Sequence, residues 1–218
     1  MSWERLVTKD NEVVPGVTTI MNVLNKPALV KWANELGLKG IKASEYNKKA
    51  AALGVYVHKQ IEDSIKQTKF IMPVLLTKEQ LDEANNCFKA FNDWYSLHNV
   101  DFLFSEQTFV SEKRKFGGIV DSICTVDNEK VLIDFKTTNK IVDEYWIQLA
   151  AYVLLLNENN ILVDKVAILR LPKDGKQYEY EEKELSTLLP YWYVFDSCHK
   201  LYNSLQTIRA KEVKVNDE

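Results

Sequence analysis

The stretch from Phe116 to Thr137 constrains the chain more than any other. It reads as two apolar strands, Phe116 to Val126 and Lys130 to Thr137, separated by an Asp127-Asn128-Glu129 turn. Each strand carries one aspartate in an otherwise largely apolar run. A two-residue loop at Asp127-Asn128 sets Asp121 opposite Asp134, whereas a loop at Asn128-Glu129 pairs Asp121 with Lys136 and leaves Asp134 one diagonal away. In both registers Asp121, Asp134 and Lys136 share a face, because strand side chains alternate with period two.

Two carboxylates on facing strands, about 4.5 to 5.5 Å apart, repel each other. A hard divalent cation removes that repulsion, and Mg²⁺ typically takes one or two carboxylates while keeping waters that a substrate phosphate can displace. Lys136 would project beside such an ion, where it could orient a water or offset charge on a phosphorus under attack. An acid two residues before a lysine is cheap in itself. It occurs four times here, at Asp134/Lys136, Asp174/Lys176, Glu181/Lys183 and Glu212/Lys214, so the pattern alone decides nothing. Only the first lies in an apolar strand with an aspartate on the neighbouring strand and a Gly117-Gly118 pair ahead of it. The competing reading is an edge hairpin with solvated acids.

Two helical pairs add candidates. His58 and Glu62 are four apart on a helix spanning Ala43 to Gln67, and Gly54 one turn earlier would allow a close approach by backbone or ligand. Gln148 and Tyr152 share a face of a nearly all-apolar helix, Asp143 to Asn157, where a glutamine needs a partner in the sheet-end backbone or in a phosphate. Further helices are expected over Pro27 to Leu36, ended by Gly37, over Thr77 to His98, and over Ser186 to Ala210 with a frayed tail behind it. A short helical stretch capped by Thr18 precedes them. Strands are expected near Asp101 to Val110, Val163 to Leu171 and Gln177 to Lys183. The order is helices, a three-stranded meander, a crossover helix and more strands, hence an α/β sandwich with a mixed sheet.

The net charge of −3 argues at first against a nucleic-acid partner. That average hides segregation: Lys26 to Lys69 holds nine lysines against four acids, a local +5, leaving −8 elsewhere. A solvated lysine-rich helical face explains this as simply as a phosphate track does. Lys113-Arg114-Lys115 forms a second basic cluster on a turn. Trp32 and Tyr56 could stack on unpaired bases, though a core role fits each of them more simply. Cys87, Cys124 and Cys198 are too few and too scattered for a disulfide framework or a cysteine-rich metal site, and read as reduced core thiols. The start of the chain lacks a signal-peptide pattern and no apolar run is long enough to span a bilayer, which leads to the expectation of a soluble, intracellular protein.

In order along the chain, Gly54-x-x-x-His58, Glu106, Gly118-x-x-Asp121, Asp134-Phe135-Lys136 and Gln148-x-x-x-Tyr152 resemble the RecB-like branch of the PD-(D/E)XK nuclease superfamily. Pro15-Gly16-Val17-Thr18-Thr19 and Asn25 to Ala33 also resemble phage-encoded exonucleases of that branch and, more distantly, the mitochondrial genome maintenance exonuclease. The resemblance implies a restriction-endonuclease-like core in a single domain over 1–218. Residues 1–100 would be mainly helical, 101–183 the sheet and crossover helix, and 184–218 a C-terminal helix and tail. It further implies that Asp121 and Asp134, with the Phe135 carbonyl and His58, bind Mg²⁺ or Mn²⁺, and that Lys136 is the catalytic lysine. Glu62, Glu106, Gln148 and Tyr152 would support the site or touch DNA. Lys42, Lys48, Lys49, Lys113, Arg114 and Lys115 would hold the DNA backbone. Relatives with a four-cysteine iron–sulfur cluster differ from this chain, so no cluster is expected. The implied activity is a cytoplasmic DNA exonuclease acting on single-stranded ends in replication, recombination or repair. The alternatives are a structure-selective endonuclease with the same site and a non-catalytic DNA-binding recombination module.

Overall fold

The computed structural model describes residues 5–216 other than Asn25. Asn25 belongs to the N-terminal likeness above and lies outside the described residues. Four helices come first: α1 (Val17–Met21), α2 (Pro27–Leu38), α3 (Ala43–Ile65) and α4 (Lys78–Leu97). Strands β1 (Val100–Ser111), β2 (Phe116–Val126) and β3 (Glu129–Lys136) form an antiparallel meander. Helix α5 (Asp143–Glu158) then crosses over to β4 (Lys165–Arg170), which lies parallel to β3, and β5 (Glu179–Glu184) closes the edge antiparallel to β4. A 3₁₀ turn (Leu185–Leu188) leads into α6 (Leu189–Asn216). The result is an α/β fold with a five-stranded mixed sheet in the order β1-β2-β3-β4-β5.

The sheet is packed on both faces. Leu132 of β3 and Val166 and Ile168 of β4 face α1, α5 and α6, while Val131, Ile133 and Phe135 of β3 and Ala167 and Leu169 of β4 face α3 and α4. β3 is central and apolar on both faces, as a strand with a parallel neighbour must be. Cys87, Cys124 and Cys198 are free and buried, and burial pushes the thiols of Cys87 and Cys124 up to about 12. No helix among the described residues is long and apolar enough to cross a membrane.

Several boundaries move. Gly37 does not end α2. Gly40 does, with φ +73°, and the amides of Gly40 and Ile41 bond back to the carbonyls of Gly37 and Leu36 in a Schellman closure. Gly16 rather than Thr18 precedes α1 as its N-cap. Thr77 caps α4 through a reciprocal bond pair with Gln80 instead of belonging to the helix. Helix α6 runs past Ala210 to Asn216, and 217–218 lie outside the described residues.

The β2–β3 loop is the two-residue one. Val126 pairs with Glu129, and Asp127 and Asn128 both have positive φ, +49° and +75°, as a type I′ turn requires. Replacing Asn128 with Val should therefore cost about 1 to 2 kcal/mol in urea unfolding, because a β-branched residue is strained there, while Asn128→Gly should stay within about 0.5 kcal/mol of wild type.

Candidate active site

The hairpin register places Asp121 next in line to face Asp134, but the paired ladder stops at Ser122 and Ile133. Beyond that point the Phe135 amide donates to Asp121 Oδ2 at 2.8 Å, so a side chain takes over from the strand. On the other side of β2 the β1 pairing keeps its register from Ser105/Ser122 to Gln107/Val120 but leaves the Glu106/Asp121 pair between them unmade, and Glu106 has φ +51°. The alternation of β2 switches at the same place: Phe116 and Val120 share a core cluster with Ile123. The period-two argument therefore holds for Asp134 and Lys136 on regular β3, but the expected shared face does not extend to Asp121, which turns to the α3 side and meets His58 where the pairing on both sides of β2 is interrupted.

The interruption opens a space at the carboxyl end of β3, and α3 fills it with His58. His58 Nδ1 lies 3.3 Å from Glu106 Oε1 and 3.6 Å from Asp121 Oδ1, and Nε2 lies 3.1 Å from the Phe135 carbonyl oxygen. Ligand atoms of His58, Glu106 and Asp121 all fall within 4.8 Å of one another, the grouping among the described residues that could hold a metal ion. Both imidazole nitrogens face acceptors, so both must donate. Burial opposes the positive charge, but Asp121 and Glu106 outweigh it and lift the His58 pKa to about 9. Burial likewise raises Asp121, against the pull of His58.

Asp134 lies on the other side of the same strand end and is 1% exposed. Burial raises its pKa to about 6, opposed by Lys136 and reinforced by Asp121. Lys136 Nζ is 2.7 Å from Asp134 Oδ2, an ion pair out of line for a hydrogen bond, and Asp134 Oδ1 has no hydrogen-bond partner among the described residues. Burial acts against the Lys136 charge too, yet Asp134 and Asp121 hold its pKa above the ordinary value. Nζ donates to Gln148 Oε1 at 3.1 Å and sits 4.8 Å from the centre of the Tyr145 ring. Gln148 Nε2 in turn donates to the Tyr152 hydroxyl at 2.8 Å.

The structure thus brings together His58, Glu106, Asp121, the Phe135 backbone, Asp134, Lys136, Gln148 and Tyr152. It does not bring in Glu62, whose carboxylate is held by Lys59 at 3.0 Å and by Lys66, the residue that caps the end of α3. No backbone approaches Gly54 closely: a Cβ there would meet Thr137 Oγ1 at 3.7 Å, an ordinary contact. Tyr152 is buried beneath the sheet and makes its polar contact to Gln148 instead of to a surface. Among the basic candidates, Lys48, Lys49 and Lys113 are exposed, and exposed Lys42 pairs with Glu45 at 3.2 Å. Arg114 is turned inward, 3.5 Å from Asp196 and 3.8 Å from Glu158 and stacked on Trp192, and Lys115 pairs with Glu12 at 3.1 Å. Their charges are answered within the fold. Tyr56 is core, whereas Trp32 is half-buried and meets Tyr46 edge-on at 5.5 Å.

Tyr145 is a member of the site that the sequence reading passes over. Its signal was present, because Tyr145, Gln148 and Tyr152 recur at i, i+3 and i+7 on one helical face.

The geometry of His58 has a direct consequence in the metal-free protein. Its folded pKa of about 9 lies above the ordinary 6.5, so the protonated ring favours folding fully below pH 6.5, and that contribution is lost as pH rises through about 9. Nitrogen NMR at pH 7.5 should show both ring nitrogens protonated; a neutral tautomer would contradict the arrangement.

No protein-family model and no curated protein matches the chain. Among solved structures, SSO0001 aligns over 83% of this chain and 73% of its own length at 16% identity, with a TM-score of 0.39. LHK-Exo, solved in complex with dAMP, aligns over 77% of this chain and 92% of its own at 15% identity, with a TM-score of 0.38. Likenesses this distant carry no weight for what this chain does.

Proposed function

We propose that this chain is a metal-dependent deoxyribonuclease of the PD-(D/E)XK type, RecB-like in its motifs, acting on single-stranded DNA ends. The observation that carries the reading is the concentration of His58, Glu106, Asp121 and the Phe135 carbonyl around one space, with buried Asp134 and half-buried Lys136 beside it. Three carboxylates buried or half-buried at one strand end are costly without a counter-charge, and Asp134 keeps one oxygen without a partner. This oxygen-rich donor set with one imidazole fits Mg²⁺ or Mn²⁺, held by Asp121, Glu106, His58 and the Phe135 carbonyl, with Asp134 behind them. Such an ion supplies Lewis-acid polarisation of the phosphodiester and a water made acidic enough to attack near neutral pH.

The chain's own groups do the rest. Lys136 carries its charge on the Asp134 side of the strand end, pinned by Asp134 and Gln148 and near enough to Asp121 to feel its charge, where it can hold a water by hydrogen bond or offset charge gathering on the phosphate. Asp121 ties its carboxylate to the Phe135 amide and so keeps the acid and the carbonyl next to it in fixed relation. His58, donating to Glu106 and Phe135 when protonated, must give up a ring proton before either nitrogen can act as a ligand.

For DNA binding, α2 and the start of α3 are the proposed track. No residue of α2 is buried, and Lys31, Lys39, Lys42, Lys48 and Lys49 are exposed along this region beside half-buried Trp32. Replacing Lys42, Lys48 and Lys49 with Ala should weaken binding to single-stranded DNA and flatten its salt dependence by about two to three in logarithmic slope. An unchanged slope would return the cluster to a solvated face.

Activity is tested with end-labelled linear and covalently closed circular single-stranded DNA in Mg²⁺ and in chelator. The linear strand should be degraded in Mg²⁺ alone and the circle spared, and Lys136→Ala should lower the rate by at least about 100-fold. Cleavage of the circle would favour the endonuclease reading, and binding without cleavage the non-catalytic one.

A further inference from the structure

Gly118 lies on β2 directly under the Tyr152 ring. A Cβ at Gly118 would fall 2.5 Å from Tyr152 Cε1 and 3.3 Å from two further ring carbons, far inside contact distance. Tyr152 is buried among the side chains that α5 packs on the sheet, so its ring has little freedom to move aside. The absence of a side chain at Gly118 therefore decides where the Tyr152 hydroxyl sits.

That hydroxyl is the acceptor for Gln148 Nε2 at 2.8 Å, and the opposite end of the same amide accepts from Lys136 Nζ at 3.1 Å. The amide is held at both ends. Without the hydroxyl its NH₂ group would be left without an acceptor in a half-buried place, and the side chain would turn to find one, drawing Oε1 away from Lys136. Lys136 would then keep Asp134 and the Tyr145 ring face but lose the Gln148 oxygen that holds it from the α5 side.

We propose that Tyr152 is a positioning residue: through Gln148 it sets where the Lys136 ammonium stands, and position 118 is glycine because the Tyr152 ring occupies the space of any side chain there. Gly118, Tyr152, Gln148 and Lys136 form one mechanical series from the sheet to the site. Its catalytic consequence rests on the reading of Lys136 given above, while its structural content does not.

The test uses full-length, metal-free protein with ¹⁵N-labelled lysine, in which a hydrogen-bonded, poorly solvated ammonium gives a sharp ¹H–¹⁵N signal that Lys136→Met identifies. Tyr152→Phe keeps the ring and removes only the hydroxyl. It should leave the melting temperature nearly unchanged, broaden or shift the Lys136 signal, and lower kcat about tenfold with KM for DNA unaltered. Gly118→Ala should move the Lys136 signal in the same way, and adding Tyr152→Phe to it should change that signal no further. A Lys136 signal identical in wild type and Tyr152→Phe would overturn the proposal, as would a rise in KM with that signal in place, which is what a DNA-contacting tyrosine gives. If the signal responds as described but the wild-type chain cleaves no DNA, the positioning series stands and the nuclease reading falls.

Discussion

A carboxylate taken almost wholly out of water governs this structure. Asp134 sits at the end of the central strand with its ordinary hydration gone, and burying an ion in this way costs several kcal/mol unless nearby charge and hydrogen bonds offset it. The compensation comes from one lysine two residues along the same strand. Lys136 is itself poorly exposed, so it in turn depends on Gln148 and Tyr145 from α5. On the far side of the strand the same difficulty recurs with Asp121 and Glu106, and His58 from α3 answers it. Lys136 thus draws its further partners from α5, and Asp121 and Glu106 draw theirs from α3. The site exists only because the sheet holds α3 and α5 on opposite faces of β3.

The sheet also has to break its own rules for this to happen. A regular β1-β2-β3 meander would spend the Phe135 amide on a backbone carbonyl and send alternate side chains of β2 strictly to opposite faces. Instead the ladder ends at Ser122/Ile133, Glu106 takes a left-handed conformation, and Asp121 caps the freed amide. A non-glycine residue at positive φ is costly, and such strain concentrates where side chains are aimed for chemistry. Here it aims Glu106 at His58.

Much of this was legible in the residues. The turn at Asp127-Asn128 was one of two that the residues allowed, with the structure choosing it, and the regular alternation of β3 follows from Val131, Ile133 and Phe135 set against Leu132, Asp134 and Lys136. Those two readings suffice to bring Asp121 and Asp134 to one strand end. What could not be read was the break in alternation, because nothing about Glu106 as a residue type announces φ +51°. Gly37 misled because a glycine marks a helix end only where the chain turns left-handed, and Gly40, three residues later, does so. Arg114 and Lys115 looked like a free basic turn, since a linear sequence does not show that Asp196, Glu158 and Glu12 wait for them. Glu62 was placed beside His58 by helical spacing that is correct, but Lys59 and Lys66 share that spacing and claim it first.

The central claim is that the space between α3 and the carboxyl end of β3 is a divalent-cation site. Titration of Mn²⁺ into the metal-free protein, followed by calorimetry, tests it without recourse to activity. Wild type should bind Mn²⁺ with release of a proton, because His58 must lose one, and Asp121→Asn should abolish or weaken that binding at least about tenfold. Equal Mn²⁺ affinity in wild type and Asp121→Asn, or binding with no proton released, would contradict it.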